Sequence, residues 1–360
     1  MAQVDDLMRD AVAEHVFPGA VLRASINGQC VYEEAFGAMD DSKGSVVKPT
    51  TVFDLASLTK PLATAPAMML LMQEGKLDLA SDLSSLIPGC AWGEKGMVTV
   101  GQLLCHTSGL GDYQPYYRIL MEYSPDERKM KLKELLIKEP LIDPPGSFVR
   151  YSDIGYMILA WVVEYLAGMP LSVFVEKKVF APLGIDDLFY IRMDESRDRK
   201  RDIAPTEHCP WRKKLIRGEV HDDNAWAMGG EGGHAGLFGT AAGIDSLLWQ
   251  YLKKDRAETN PTIFDPKVLG LFLKEWNHTR RTPGFDMPSH EGSSSGRYFP
   301  RNSVGHLGFT GTSFWMDPEK NLTMILLSNR VYPSRENVRI KSFRPLVHDA
   351  LMEHLDVSRL

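Results

Sequence analysis

Ser57 and Lys60 stand three residues apart at the head of the apolar run FDLASLTKPLATAPAMMLLM. On a helix this spacing puts both side chains on one face, with Cβ atoms about 5 to 6 Å apart. A serine hydroxyl attacks a carbonyl carbon only when a base takes its proton. A lysine becomes that base when desolvation or neighbouring positive potential lowers its pKa from about 10.4. The N–H groups at the start of a helix supply such potential, and they can also stabilise an oxyanion on the attacked carbonyl. The competing reading is plainer: a serine helix cap beside a solvated lysine.

Other stretches match reactive patterns by composition alone. Ser45-Val-Val-Lys48 repeats the serine–lysine spacing, but Lys48 precedes Pro49 and is biased to extended backbone, so the two side chains need not share a face. Gly292-Ser-Ser294-Ser-Gly296 fits the G-x-S-x-G pattern, yet MPSHEG and RYFPRN around it lack the buried strand and helix that such a turn needs. His221, Asp222, Asp223 and His234 could ligate a metal by residue type, but no H-E-x-x-H spacing joins them, so neither a metal nor a cofactor is expected. His106 reads as a helix-end or core histidine, and Tyr113, Tyr116 and Tyr117 as either an aromatic wall or ordinary packing.

These side chains are held by elements legible in the same sequence. A helix-period pattern (Val4, Leu7, Met8, Ala11, Val12) opens the chain, and AVLRASINGQCVYEEAFG follows as two strands joined by an Asn27-Gly28 type I′ turn. From Ser57 to about Leu183 the patterns are helical, and the charged stretch from Met193 to Gly218 reads as surface connection. AAGIDSLLWQYLKK from Ala241 reads as a helix. SVGHLGF, TSFWMD and LTMILLSN are predicted strands, and a last helix runs from Ser334 to about His354. The expected architecture is α/β (α+β): an antiparallel sheet flanked by the N- and C-terminal helices, with an inserted all-helical domain. Residues 1–60 and 215–360 form the sandwich and 61–214 the insertion, with the site in the cleft between them.

Three motifs in this order, Ser57-x-x-Lys60, Tyr151-Ser152-Asp153 and His306-Leu-Gly308, resemble the S-x-x-K, Y-x-N and K-T-G or H-x-G elements of the serine β-lactamase and penicillin-binding-protein superfamily. The likeness is to its class C β-lactamase-like branch of esterases and D-peptidases. LLCHTSGL from Leu103 and GHAGLFGTAAGIDSLLW from Gly233 also look like segments of that branch. The resemblance implies Ser57 as the acylated nucleophile, Lys60 as its base and Tyr151 as the proton relay. It implies the Ser57 and Phe309 amides as oxyanion donors, Gly308 keeping the strand clear of substrate, and His306, Asp153 and His234 lining the cleft. Two positions depart from the pattern. Asp153 replaces the usual Asn and can accept but not donate, although it could also be only a helix cap. His306 stands where K-T-G has lysine. Its reference pKa of about 6.5 would let it gain a proton, and an attraction for carboxylates, as the pH falls from 8 to 6; the competing reading is a histidine packed on its strand.

The implied partner is a small acyl substrate: an ester, a lactam or a D-peptide. An esterase or D-amino-acid-type peptidase fits the two departures best. A true β-lactamase, a transacylase and a catalytically silent module binding penicillin or peptidoglycan fragments are the alternatives. A chain of 360 residues with 44% hydrophobic and 24% charged content is globular, and its net charge of −6 offers no basic field for nucleic acid. No run is long enough to span a bilayer, the N-terminus lacks a basic export signal, and the four scattered cysteines read as reduced. These features make the cytoplasm the expected compartment, with the periplasm or the exterior as the alternative that the family resemblance leaves open. Oligomeric state is not readable from the sequence.

Overall fold

The computed structural model describes residues 2–193, 202–253 and 262–355. Its strands, numbered along the described chain, are β1 (Gly19–Ile26), β2 (Gln29–Gly37), β3 (Phe53–Asp54), β4 (Leu188–Tyr190), β5 (His208–Cys209), β6 (Lys214–Leu215), β7 (Leu237–Gly239), β8 (Arg281–Thr282), β9 (Phe285–Asp286), β10 (Val304–Leu307), β11 (Ser313–Asp317) and β12 (Leu322–Ser328). The main sheet has the order β2-β1-β12-β11-β10-β9-β8, with antiparallel pairing throughout. At the β1–β2 turn Asn27 and Gly28 both take positive φ, 53° and 74°, as a type I′ turn requires.

The period of two along β12 explains how this sheet sits between two layers. Leu322, Met324 and Leu326 pack with Val4, Met8, Phe343 and Val347 of the terminal helices Ala2–Ala13 and Ile340–His354. Ile325 and Leu327 point the other way, into the larger core shared with helices Ala65–Gln73, Asp153–Ala167 and Ala241–Leu252. Every residue of the strand is buried, so an apolar run replaces simple alternation. Each fully buried Leu or Ile stabilises the fold by about 1.5–3 kcal/mol.

Helix Asp153–Ala167 matters most for the site. Ser152 caps it by accepting from the Gly155 amide, and Gly168, at φ 67°, ends it in the left-handed conformation. Nine of its residues are buried, so its N-terminus is held rigidly against the segment that carries Ser57 and Lys60.

Three local expectations change. The insertion expected to be all-helical over 61–214 is helical only to Leu183: beyond it lie β4, which joins β3 and β7 in a small second sheet, and the ribbon β5–β6, and strands this short leave no periodicity to read. Part of the connection after Met193 lies outside the described residues, but Arg212 within it is not on the surface. Its side chain is only 1% exposed, paired with Asp223 and lying 4.7 Å from the Trp226 ring. The last helix begins at Ile340 rather than Ser334, because the Arg330 guanidinium takes the Arg335 and Asn337 carbonyls that a helix would need.

Candidate active site

The segment carrying Ser57 leaves β3 through a strained step. Ala56 has a positive φ of 47°, which costs a residue bearing Cβ roughly 1–3 kcal/mol. The buried Asp54 carboxylate stabilises the step by accepting from the Ala56 amide at 2.8 Å and the His221 amide at 2.6 Å. Ala56–Leu58 is a 3₁₀ turn and Lys60–Thr64 a π turn before the α-helix proper. Residues i and i+3 eclipse in a 3₁₀ turn, so the serine–lysine spacing still aligns the two side chains. The Lys60 ammonium lies 3.0 Å from Ser57 Oγ. Ser57 is partly exposed, whereas the Lys60 side chain is fully buried.

The ammonium spends its other two protons on the Asp153 carboxylate at 2.7 Å and the His234 carbonyl at 3.2 Å. Burial opposes charge on Lys60, yet Asp153 and Tyr151 hold its pKa above the ordinary lysine value. The expected depression is therefore absent from the resting site. The Tyr151 phenol is also raised: burial pushes it up, Lys60 draws it down, and the Asp153 charge pushes it up again. At neutral pH the resting group holds a lysine cation beside a neutral phenol. Asp153 is thus an ion-pair partner of Lys60, and the helix cap is Ser152.

Tyr151 is held by neighbours from three other elements. The His106 ring lies 4.5 Å from its ring, the His306 ring 6.0 Å, and the Arg281 guanidinium 5.7 Å. His106 Nδ1 accepts from the Ser152 amide at 3.0 Å, and burial keeps this ring neutral, well below the usual histidine pKa. Arg281 on β8 pairs with Asp286 on β9. The Arg281 contact is not signalled in the sequence, because Arg281 and its partner Asp286 belong to no motif shared with Tyr151.

The loop after β10 closes the other side. Thr310 Oγ1 donates to the Asp54 carbonyl at 2.7 Å and Thr312 Oγ1 to the Leu55 carbonyl at 3.1 Å, tying the loop to the residues just before Ser57. A Cβ at Gly308 would stand 1.9 Å from Thr312 Oγ1 and 2.7 Å from the Leu55 carbonyl, so only glycine fits this approach. Among the described residues, neither the Ser57 nor the Phe309 amide donates to a backbone acceptor outside regular helix and strand bonding. The Phe309 side chain is half exposed, with the His221 ring at 5.7 Å and the Arg330 guanidinium at 4.5 Å.

His306 takes the packed-strand reading rather than the substrate-facing one. It is 1% exposed, with Nδ1 against the Leu307 carbonyl, and burial beside Lys60 and Arg281 outweighs the pull of Asp286 and lowers its pKa to about 4. It is a neutral, packed strand histidine behind Tyr151 rather than a titrating group facing substrate. His234 touches the site through its carbonyl, while its ring is buried against Asp222 at 2.9 Å.

The other residues considered for a metal are engaged as well: Asp223 holds Arg212, and His221 lies near Glu207. Among the described residues no group of three His, Cys, Asp or Glu side chains is arranged to hold a metal ion. Tyr116 is buried against Glu139 and Tyr117 packs on Trp211, leaving Tyr113 as the exposed member of the supposed wall. Lys48 pairs with Asp202, and Ser294 sits in a loop without adjoining strand or helix.

A family model described as Beta-lactamase matches residues 4–346. The chain is 34% identical over 363 residues to an N-acetylmuramyl-L-alanine amidase of Bacillus subtilis, covering 92% of this chain and 81% of the relative. It is 31% identical over 355 residues to a putative D-alanyl-D-alanine carboxypeptidase of Escherichia coli, covering 87% and 79%. In fold it is similar to EstCE1, a hydrolase with promiscuous acyltransferase activity, at a TM-score of 0.71 and 21% identity over 96% of this chain and 98% of that one.

Proposed function

Because the chain belongs to the beta-lactamase family and is a hydrolase of that family, we propose that Ser57 carries the acyl group through hydrolysis of a small ester or a D-amino-acid-type amide. The observation that carries this reading is the buried Lys60 ammonium 3.0 Å from Ser57 Oγ, beside Tyr151. The carbonyl carbon bonds to Ser57 Oγ, and its oxygen takes the negative charge against the Ser57 and Phe309 amides. The serine proton passes to the Lys60/Tyr151 pair and then to the leaving oxygen or nitrogen. Water, giving its proton to the same pair, releases the acid and restores Ser57. The named amidase and carboxypeptidase relatives favour amide substrates, and the fold neighbour with acyltransferase activity leaves transfer to another nucleophile as the second outcome.

In the resting site the ammonium donates to Ser57, so the pair must lose one proton before it can act as base. That loss belongs to the pair rather than to either residue. The Asp153 charge raises both Lys60 and Tyr151 and therefore opposes it. Asp153→Asn is expected to move the acid limb of the kcat/KM–pH profile toward lower pH. A limb that stays in place or moves up would show that Asp153 does not govern the pair.

Substrate charge supplies the test of the reading. His306, facing Lys60, Arg281 and Asp286, titrates near pH 4 and stays neutral from pH 8 to 6. The cation that K-T-G enzymes present to a carboxylate is thus missing over that whole range. We expect a neutral p-nitrophenyl ester to have a higher kcat/KM than nitrocefin, with a ratio that stays within about twofold between pH 8 and 6, since well under a tenth of His306 is protonated even at pH 6. Faster turnover of nitrocefin would replace this reading with that of a true β-lactamase. A ratio that falls steeply toward pH 6 would return His306 to substrate recognition.

A further inference from the structure

Arg344 projects from the C-terminal helix Ile340–His354 into the interior and is 5% exposed. Its Nη2 donates to the Gly308 carbonyl at 3.0 Å and the Thr312 carbonyl at 2.9 Å. Among the described residues no carboxylate lies within ion-pair distance of it. Its Nε makes no hydrogen bond, and burial together with the Arg330 charge lowers its pKa to about 10. Arginines are almost never fully buried unless paired, and a buried unpaired charge is costly. A neutral side chain would tie the helix to the loop at far lower cost.

The carbonyl it holds explains the cation. Gly308 C=O and Phe309 N–H are the two ends of one planar peptide, so fixing the oxygen fixes the direction of the N–H. A guanidinium at the oxygen also draws electron density out of the peptide and makes its N–H a stronger donor. A second guanidinium, that of Arg330, binds the next carbonyl, Phe309 O, through Nε at 2.8 Å and Nη2 at 2.5 Å. Two buried cations therefore hold both carbonyls that flank the Phe309 residue. We propose that Arg344 is a positioning residue for acyl transfer, acting through the Gly308–Phe309 peptide to set the direction and donor strength of the amide that meets the oxyanion. This rests on the Ser57 acyl-enzyme reading and adds to it a charge placed behind the loop, out of contact with substrate.

The test uses the full chain acylated on Ser57 with a slowly released aryl acyl group labelled at its carbonyl carbon with ¹³C, followed by isotope-edited infrared spectroscopy. In Arg344→Gln the acyl carbonyl stretch is expected to move to higher wavenumber. kcat should fall about tenfold with KM within twofold, less than the roughly 10²–10³-fold cost of deleting an oxyanion donor outright. Leu351→Ala, buried on the same helix away from the loop, should lower the melting temperature while leaving stretch and kcat at their wild-type values. Should Arg344→Gln not fold, Arg344→Met, which removes the charge and both carbonyl hydrogen bonds made by Nη2, must still raise the stretch. A wild-type stretch in the folded Arg344 variant overturns the proposal, as does an equal shift in Leu351→Ala, which would reduce Arg344 to support for the helix. Failure of the underlying reading looks different, because wild-type Ser57 would then acquire no acyl mass at all.

Discussion

Ser57→Ala is expected to abolish both ester hydrolysis and labelling by a fluorophosphonate or fluorescent penicillin, a loss on the order of 10³-fold or more. Ser45→Ala and Ser294→Ala should stay within a few-fold of wild type. The contrast follows from what stands beside each hydroxyl. Ser57 is partly exposed, with a buried ammonium 3.0 Å away and a strained residue, Ala56, just before it. The lysine near Ser45 is turned to Asp202 at 2.7 Å, and the base beside Ser294, the His348 ring, meets its backbone carbonyl at 2.8 Å rather than its hydroxyl. Peptide mass spectrometry after labelling should put the added mass on the peptide containing Ser57. Activity or labelling retained in Ser57→Ala would sink the assignment.

Removing either partner in proton transfer should cost nearly as much. Lys60→Ala and Tyr151→Phe are each expected to lower kcat/KM by about 10²–10⁴-fold, the usual range for a general acid or base. The two should differ in stability. Lys60→Ala leaves Asp153, 20% exposed, without its cation, and breaking a buried pair from one side costs about 3–5 kcal/mol. Tyr151→Phe removes only a hydroxyl from a ring whose packing against His106 and His306 persists. The double variant Lys60→Met, Asp153→Asn should regain much of the lost melting temperature and none of the activity, since it removes both charges but restores no base. Near-wild-type rates in Lys60→Ala, or recovery of activity in the double variant, would take Lys60 out of the chemistry.

The relation between sequence and site is uneven, and the unevenness has a cause. Ser57 and Lys60 are three residues apart, so their juxtaposition depends on local backbone alone, and it survives even though the segment is a 3₁₀ turn running into a π turn rather than a regular helix. The β1–β2 hairpin, the helix Ala241–Leu252 and β10 to β12 were legible for the same reason: each depends on a turn dipeptide, a cap or a short period. The last helix, expected from Ser334, starts at Ile340 because its boundary is set by Arg330 taking two carbonyls, a contact no local pattern announces.

The sequence alone determined which side chains could react and the secondary structure that carries most of them, because residue chemistry and short-range geometry are written in adjacent positions. Tertiary structure alone decided how those side chains are charged and aimed. Asp153 could equally have capped its helix until Lys60, 93 positions earlier, was placed 2.7 Å from it. His306 has an ordinary histidine's pKa until burial beside Lys60 and Arg281 removes its proton from the physiological range. Arg344 is one cation among many in a charged chain until the C-terminal helix packs it against Gly308, 36 positions away. Desolvation and Coulomb interaction depend on what is near in space rather than near in sequence, so the protonation states of this site exist only once the chain has folded.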